Sequence, residues 1–401
     1  MNNTVNSSEE GPLTCPFPRL TLLQQTFRAG SVLLVLLLSL FGNIFVLHVV
    51  RSNTKLHTVT HCLLVNLACA DLLITVVNMS HLFKTEVTGD DQAFGGAAGD
   101  VYCIGLMVVL NISVSSSILT LTAVAVERFC SIMFPFKRNI SLKIVKSMMI
   151  GTWITSCAIT IPFFFHIKVE DYYGDGVFYC VEDWSPLDTT VASQVFQIVF
   201  FVLMYACPLI LIFVLYLSIG IKLWRRQSKT EVSSLGNSHR RTRMTVQVTK
   251  MLVVSVVAFA VCWLPQHVVL FINYFRLDIC PPEFLWFGGT LLAYANSAMN
   301  PIIYVAFHSE YRKQLKVILM RCACFPLCIG LCKARTGNEL DIQGGRKAGK
   351  TEEFVMVSVL SLKTTSSEGI TEIRFAKSNS PSVSGKENHA FNKSDEILKP
   401  T

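Results

Sequence analysis

Seven long apolar segments dominate this chain of 401 residues, near 29–50, 59–83, 101–134, 145–167, 190–224, 246–275 and 284–306. Each is long enough to cross about 30 Å of hydrocarbon as an α-helix. Only 15% of the residues are charged, against about 25% in soluble domains. A large soluble helical protein would carry a polar stripe along each helix, whereas residues 31–50 carry almost no charge. The sequence therefore predicts an all-α membrane protein with a bundle of seven transmembrane helices.

Basic residues in the connecting loops set the orientation of this bundle. Lys and Arg cluster after the first, third, fifth and seventh segments, whereas the other loops are rich in acids. By the positive-inside rule those four basic regions are cytoplasmic and the N-terminus is extracellular. The net charge of +8 is then expected to face anionic membrane lipid, and it does not indicate nucleic-acid binding.

This topology divides the chain into four parts. Residues 1–28 are an extracellular N-terminus without a cleavable signal peptide, and residues 29–306 are the transmembrane domain. Residues 307–333 combine a short amphipathic helix on the membrane surface with a cysteine cluster, and residues 334–401 are a disordered cytoplasmic tail. Two of the six Asn-x-Ser/Thr sequons fall outside the cell, so glycosylation is expected at Asn2 and Asn6.

The 14 cysteines sort by side of the membrane. Four are extracellular or at the outer face, which suggests two disulfides with three pairings open: Cys15, Cys103, Cys180 and Cys280. Four others follow the seventh segment in a reducing compartment and are candidates for palmitoylation: Cys322, Cys324, Cys328 and Cys332. A zinc cluster is the alternative for this second group, but no histidine or second CxxC pair accompanies it.

Polar motifs inside the apolar segments point to a function. The last segment contains Asn296-Ser297-Ala298-Met299-Asn300-Pro301-Ile302-Ile303-Tyr304, whose amides and hydroxyls are costly in hydrocarbon unless neighbouring helices satisfy them. The third ends with Glu127-Arg128-Phe129, and the sixth holds Cys262-Trp263-Leu264-Pro265. Taken in order, these motifs resemble those of a rhodopsin-like (class A) G-protein-coupled receptor, over residues 29–320.

The resemblance implies a cell-surface receptor at the plasma membrane that binds an extracellular ligand and activates heterotrimeric G proteins. An enzyme is not expected, and neither an H-E-x-x-H nor a G-x-S-x-G motif is present. A channel or transporter is the rival class. It would need several intramembrane charges or paired repeats, whereas Asp71 stands alone in mid-membrane.

The resemblance also assigns roles to polar and cysteine residues. It implies a Cys103–Cys180 disulfide, which leaves Cys15 and Cys280 either as a second bridge or as free thiols. It further implies an allosteric sodium pocket, with no other cofactor, built from Asp71, Asn43, Ser117, Asn296 and Asn300. Oxygen ligands suit a hard cation, and a hydrogen-bonded water network without an ion is the alternative.

The resemblance also implies a conformational switch. The matching residues, which would couple the ligand to the G protein, are Glu127, Arg128, Tyr216, Phe259, Trp263, Pro265, Asn300, Pro301 and Tyr304. Pro265 would kink the sixth helix. Many such receptors restrain the arginine with an acid on the inner end of the sixth helix, but His239–Thr245 contains none. We therefore expect a loose resting state with measurable basal signalling.

The ligand class can be narrowed by residues at family positions. The stretch Glu283–Ala306 lacks the lysine of opsins, and Leu110 stands where monoamine receptors carry an aspartate. The sequences Trp263–Val268 and Tyr294–Ser297 resemble those of galanin and allatostatin receptors. Acid-rich outer loops suggest a cationic peptide with an uncharged, amidated end, bound by Leu110, Gln266, His267, Leu270, Phe271, Trp286, Tyr294, Glu182 and Asp183. A non-peptide ligand on the same fold is the alternative.

The tail carries a compact hydroxyl cluster at Thr364, Thr365, Ser366 and Ser367. Phosphorylation by a receptor kinase would give this cluster a high negative charge suited to a basic arrestin surface. An ordinary polar linker is the alternative interpretation.

Overall fold

The computed structural model describes residues 20–89, 91–134, 141–171, 174, 176–230, 236–276 and 279–320. Its helices are α1 (Leu22–Ser52), α2 (Val59–Ile74), α3 (Ser80–Thr88), α4 (Gly96–Met133), α5 (Leu142–Thr160), α6 (Phe163–His166), α7 (Thr189–Phe201), α8 (Cys207–Thr230), α9 (Gly236–Phe275) and α10 (Glu283–Phe307). A short 3-10 turn covers Thr54–Leu56. A further helix, α11, covers residues 309–320, within the stretch 307–333 for which a surface helix is predicted.

Two π-helical turns join helices into longer rods. Thr75–Met79 links α2 to α3, and Val202–Ala206 links α7 to α8. In the first turn, the Asn78 amide donates a 2.8 Å hydrogen bond to the carbonyl of Leu106 on α4. The π-helical turn thus carries a polar side chain that contacts a neighbouring helix, and such turns are frequent at functional sites.

Six of the described helical rods are long and apolar enough to cross a membrane: Leu22–Ser52, Val59–Thr88, Gly96–Met133, Leu142–His166, Thr189–Arg225 and Thr245–Phe275. The seventh predicted span corresponds to α10, which carries the polar residues Asn296, Ser297 and Asn300. These amides and this hydroxyl are buried, each with under 5% exposure. These polar groups of α10 thus face protein, and the predicted all-α membrane fold is confirmed.

The first helix starts earlier than the predicted span. It begins at Leu22 rather than at residue 29, because Thr21 and Gln24 form a reciprocal capping box at its N-terminus. Further along, Gly42 lies against Pro301 of α10, and a Cβ atom at residue 42 would be 2.8 Å from the proline ring. Glycine therefore permits close packing of α1 on α10.

A two-stranded antiparallel hairpin follows α6. Strand β1 (Ile167–Glu170) pairs with β2 (Tyr179–Glu182), with Val169 opposite Cys180. We refer to this end of the bundle as the outer end. The sequence predicted only a loop here.

Candidate functional site

A cavity of about 480 Å³ lies at the outer end, beneath the β1–β2 hairpin. The Cys103–Cys180 disulfide joins β2 to α4, with 5.5 Å between the two Cα atoms, and confirms the predicted bridge. The Val169 amide also donates a 2.9 Å hydrogen bond to the Asp100 carboxylate at the start of α4. These two links hold Cys180, Val181 and Glu182 over the cavity as its roof.

Seven of the nine predicted ligand-binding residues line this cavity: Leu110, Glu182, Gln266, His267, Leu270, Trp286 and Tyr294. Phe271 does not, because its ring packs edge-on against Phe201, 5.1 Å away, and stacks on Phe275. Asp183 does not either, because it turns away from the cavity to form an ion pair with Lys168. The hydrogen bond from Lys168, followed by that from the Ser185 hydroxyl, holds the pKa of Asp183 below its usual value.

Several lining residues were not predicted. They come from the hairpin and from α4, α7, α9 and α10, and include Met107, Asn111, Ile167, Phe196, Gln197, Asn273, Tyr274 and Thr290. Helical spacing could have suggested Met107 and Asn111, which lie on either side of Leu110. Residues of α7 could not be assigned because the sequence alone does not fix which face of α7 meets α9.

Most outer acids that the sequence placed around the cavity mouth already have a partner within the protein. Glu86 and Glu283 both bond to Arg28. Asp188 is the N-cap of α7, where its carboxylate accepts a 3.1 Å hydrogen bond from the Val191 amide. The outer acids therefore largely stabilise the outer ends of the helices.

Glu182 is different because it lies in the cavity roof and its described partners are neutral. Its carboxylate accepts hydrogen bonds from the Tyr274 hydroxyl at 2.6 Å and the Ser193 hydroxyl at 2.9 Å. Within the described residues no Lys, Arg or His nitrogen lies within 4.0 Å of it. Because both of these partners are hydroxyls, the carboxylate oxygens retain lone pairs that can accept a hydrogen bond from a cationic group.

The deeper part of the cavity offers polar atoms that have no partner among the described residues. They are Gln197 Nε2, Trp263 Nε1 and His267 Nδ1, and each of these side chains is at least nine-tenths buried. His267 is fixed by ring contacts with Phe201 at 5.1 Å and Tyr205 at 4.6 Å. Leaving such groups unpaired is unfavourable, so the floor is suited to an uncharged ligand group that both accepts and donates hydrogen bonds.

The predicted sodium-pocket residues are all buried in the middle of the bundle. Asn300 donates a 2.8 Å hydrogen bond to the Asp71 carboxylate. Asn43 instead donates to the carbonyls of Ser39 and Ser297, at 2.9 and 3.0 Å. Among the described contacts, Ser117 and Asn296 make no direct hydrogen bond to Asp71. Elsewhere in the described chain, no group of three His, Cys, Asp or Glu residues could hold a metal ion.

The Glu127–Arg128 pair lies at the inner end of α4. Two guanidinium nitrogens donate to the Glu127 carboxylate, each at 2.5 Å. Glu127 also accepts from the hydroxyls of Thr60 at 3.2 Å and Ser131 at 3.0 Å. Arg128 is thus held from within its own helix, and no described residue of α9 forms an ion pair with it.

The remaining switch residues lie along the core between the cavity and this inner end. Phe259 and Trp263 are buried with ring centroids 6.1 Å apart. Pro265 and Pro301 lie inside α9 and α10. The hydroxyl groups of Tyr216 and Tyr304 are buried without a partner among the described residues, so they are available for new hydrogen bonds if the helices move.

Other predicted sites fall outside the described residues. They are the glycosylation sites Asn2 and Asn6, the palmitoylation sites Cys322, Cys324, Cys328 and Cys332, the phosphorylation sites Thr364, Thr365, Ser366 and Ser367, and Cys15. Cys280 is described and is disulfide-bonded, but its partner lies outside the described residues. The Cys15–Cys280 bridge therefore stays a prediction.

A seven-helix membrane bundle with an outer cavity and an arginine–glutamate pair at its inner end is the architecture of a seven-transmembrane receptor. Residues 42–304 match the family of seven-transmembrane receptors of the rhodopsin type. The chain belongs to this rhodopsin family, whose members are G-protein-coupled receptors.

Relatives within the family are receptors for peptides. The chain is 31% identical to the QRFP-like peptide receptor of Branchiostoma floridae over 316 residues, which cover 76% of this chain and 80% of that receptor. It is 28% identical to the tachykinin-like peptides receptor 86C of Drosophila melanogaster over 346 residues, or 83% of this chain and 66% of that receptor. It is also 28% identical to the substance-K receptor of Mesocricetus auratus over 297 residues, or 73% and 75% of the two chains.

Proposed function

We propose that the protein is a plasma-membrane receptor, with its N-terminus outside the cell, that binds an extracellular neuropeptide and activates heterotrimeric G proteins. The names of the relatives describe those proteins as receptors for tachykinin-like peptides, a QRFP-like peptide and substance K. The observation that carries the proposal for this chain is the position of Glu182, a carboxylate bound by neutral groups in the roof of the cavity.

The chemistry of the cavity supports a ligand with two different ends. A Lys or Arg side chain near the roof would pair with Glu182, and a charge-assisted hydrogen bond of this kind is stronger than a neutral one. An amidated, uncharged peptide end would reach the floor, where its carbonyl and amide groups can pair with Gln197, Trp263 and His267. Apolar or aromatic side chains would contact the walls formed by residues such as Leu110 and Leu270.

Experiment must decide which class of peptide the receptor binds. Short segments around Trp263–Val268 and Tyr294–Ser297 resemble galanin and allatostatin receptors, whereas the relatives named above are tachykinin-like and QRFP-like receptors. A ligand screen should therefore include amidated tachykinin-like and QRFP-like peptides together with galanin- and allatostatin-like peptides.

Coupling would proceed through the inner end. Ligand contact with Trp263 and His267 would shift α9 at Pro265, where the proline removes a backbone hydrogen bond. Arg128 would then leave Glu127 and face the G protein, while Tyr216 and Tyr304 find new partners. Palmitoylation of Cys322, Cys324, Cys328 and Cys332 would attach the surface helix to lipid, and phosphorylation of Thr364–Ser367 by a receptor kinase would recruit arrestin.

The test is a screen of these peptides, each with and without C-terminal amidation, against reporters for several G proteins in cells that display the receptor. A cationic amidated peptide should activate the wild type and lose potency on Glu182→Gln. Arg128→Ala should retain peptide binding while losing signalling. If an uncharged or anionic non-peptide ligand alone activates the receptor, the peptide assignment is wrong and the same-fold alternative holds. Ligand-free current or flux would instead favour a channel or transporter.

A further inference from the structure

A side-chain hydrogen bond joins the inner ends of the sixth and seventh membrane helices. Gln247 on α9 donates from Nε2 to the carbonyl oxygen of Phe307, the last residue of α10, at 2.6 Å. The two residues are 60 positions apart in the chain, so this is a tertiary contact between two helices that the switch requires to move relative to each other.

This bond completes the C-terminal cap of α10. The last four carbonyls of a helix lack partners inside the helix, and here each of them has one. Tyr304 O accepts from the His308 amide at 2.8 Å, and Arg312 Nη1 donates to Val305 O at 3.3 Å and to Ala306 O at 2.5 Å. Phe307 O is the fourth, and its partner comes from a different membrane helix.

We infer that Gln247 is a positioning residue for G-protein coupling, which acts by holding the inner end of α9 against the end of α10 in the resting state. This inference rests on the proposed function. Arg128 pairs inside its own helix, and the stretch His239–Thr245 supplies no acid to restrain it. The Gln247–Phe307 bond is a restraint of another kind, between α9 and α10 rather than between α9 and α4.

The strength of the restraint follows from its chemistry. A neutral hydrogen bond that is open to solvent changes an equilibrium constant by about two- to tenfold. It therefore holds α9 less firmly than a buried ion pair would, and basal signalling is expected even in the wild type. Loss of the bond should raise the population of the active state by about two- to tenfold.

Three variants test this inference. Gln247→Leu keeps a similar side-chain size but removes the donor. Gln247→Lys keeps a donor and adds a cation, which is favourable beside helix C-terminal carbonyls. Lys250→Leu is the matched control, since Lys250 is an exposed polar residue on the same helix. If Gln247→Leu expresses poorly, Gln247→Ala repeats the same loss of the donor.

Two measurements separate the inference from the proposed function. The first is basal nucleotide exchange on a panel of G proteins, normalised to receptor at the cell surface. The second is hydrogen–deuterium exchange of the segment 304–312 in purified receptor, which requires no G protein. Gln247→Leu should raise basal nucleotide exchange about two- to tenfold and speed deuterium uptake, whereas Gln247→Lys and Lys250→Leu should match the wild type.

Unchanged deuterium uptake in Gln247→Leu would overturn the inference, and so would an equal rise in Gln247→Lys. If no G protein responds to any receptor form, the proposed coupling fails, and deuterium uptake alone still decides whether Gln247 holds the two helices together.

Discussion

Arg28, near the outer end of α1, makes a two-pronged ion pair with Glu86 on α3. Its Nε lies 2.7 Å from one carboxylate oxygen and its Nη2 donates to the other at 2.8 Å. The guanidinium also bonds to Glu283 at the start of α10 and lies 4.2 Å from the centre of the Phe287 ring. One cation therefore connects the first, second and seventh membrane helices.

Removal of this cation should destabilise the receptor. Glu86 is only 6% exposed, so Arg28→Met would leave a buried carboxylate without its partner, at a cost of about 3–5 kcal/mol. The melting temperature of the detergent-solubilised receptor should fall by several degrees. The double variant Arg28→Met/Glu86→Leu should recover most of that loss because the buried carboxylate of Glu86 is removed together with its partner. A double variant as unstable as Arg28→Met would contradict this account.

Glu182 should matter more to a cationic peptide than any other acid of the second outer loop. Glu182→Gln keeps the size of the side chain but removes its charge, and the half-maximal activating concentration should rise about tenfold or more. Asp188→Asn is the matched control, because asparagine preserves the N-cap of α7 and removes the same charge from the same loop. Equal losses in the two variants would show that general loop charge, rather than contact with Glu182, drives binding.

The salt dependence of peptide binding should distinguish acids that attract the peptide at long range from Glu182, which is proposed to contact it. Neutralisation of Glu182, Asp183 and Asp188 together should slow association of the peptide, and this part of the loss should shrink as ionic strength rises. The Glu182→Gln loss should appear mainly in the dissociation rate, since it removes a short-range contact. Association and dissociation rates measured at two salt concentrations give the answer.

Asp71→Asn tests the proposed sodium pocket. The substitution removes the charge but keeps the shape of the side chain next to Asn300. If sodium binds there and stabilises the resting state, higher sodium should weaken agonist binding to the wild type and leave the variant unaffected. The same sodium response in both receptors would favour a hydrogen-bonded water network instead.

His308 should make the stability of the receptor depend on pH. It lies just beyond α10, where burial lowers the pKa of its imidazole below the usual 6.5, with Arg312 acting in the same direction and Glu310 opposing. The unfolded chain therefore binds a proton near pH 6.5, whereas the folded receptor does so only at lower pH. The contribution of neutral His308 to the free energy of unfolding is therefore complete above about pH 7.5, and it decreases as the pH drops below 6.5.

The comparison that isolates this effect uses His308→Phe. Melting temperatures measured between pH 5 and 8 should fall less steeply toward acid pH in the variant than in the wild type. Because the rings of His61 and His308 pack edge-to-face, with centroids 5.2 Å apart, an aromatic replacement keeps that contact. Identical slopes in the two receptors would assign the acid sensitivity to other groups.

The sequence was sufficient for features that depend on local pattern. Apolar length predicted the spans, and ordered motifs predicted the family, the Cys103–Cys180 bridge and seven residues of the cavity wall. Features that depend on contacts between residues far apart in the chain could not be predicted from the sequence. Arg28 contacts Glu86 and Glu283 across 58 and 255 residues of chain. From the sequence, both carboxylates counted only as acids of the outer loops, because nothing local distinguishes a paired carboxylate from a solvated one.

The close contact of Gly42 with Pro301 gives one position of α1 an unusual evolutionary constraint. Much of this helix is exposed at the surface of the bundle, where side chains can exchange one apolar residue for another at little cost. At residue 42 even an added methyl group would be 2.8 Å from the proline ring, so substitutions there should be purged while those at neighbouring exposed positions accumulate. Among related sequences, low variability at residue 42 would therefore indicate that α1 and α10 pack this closely in those proteins too.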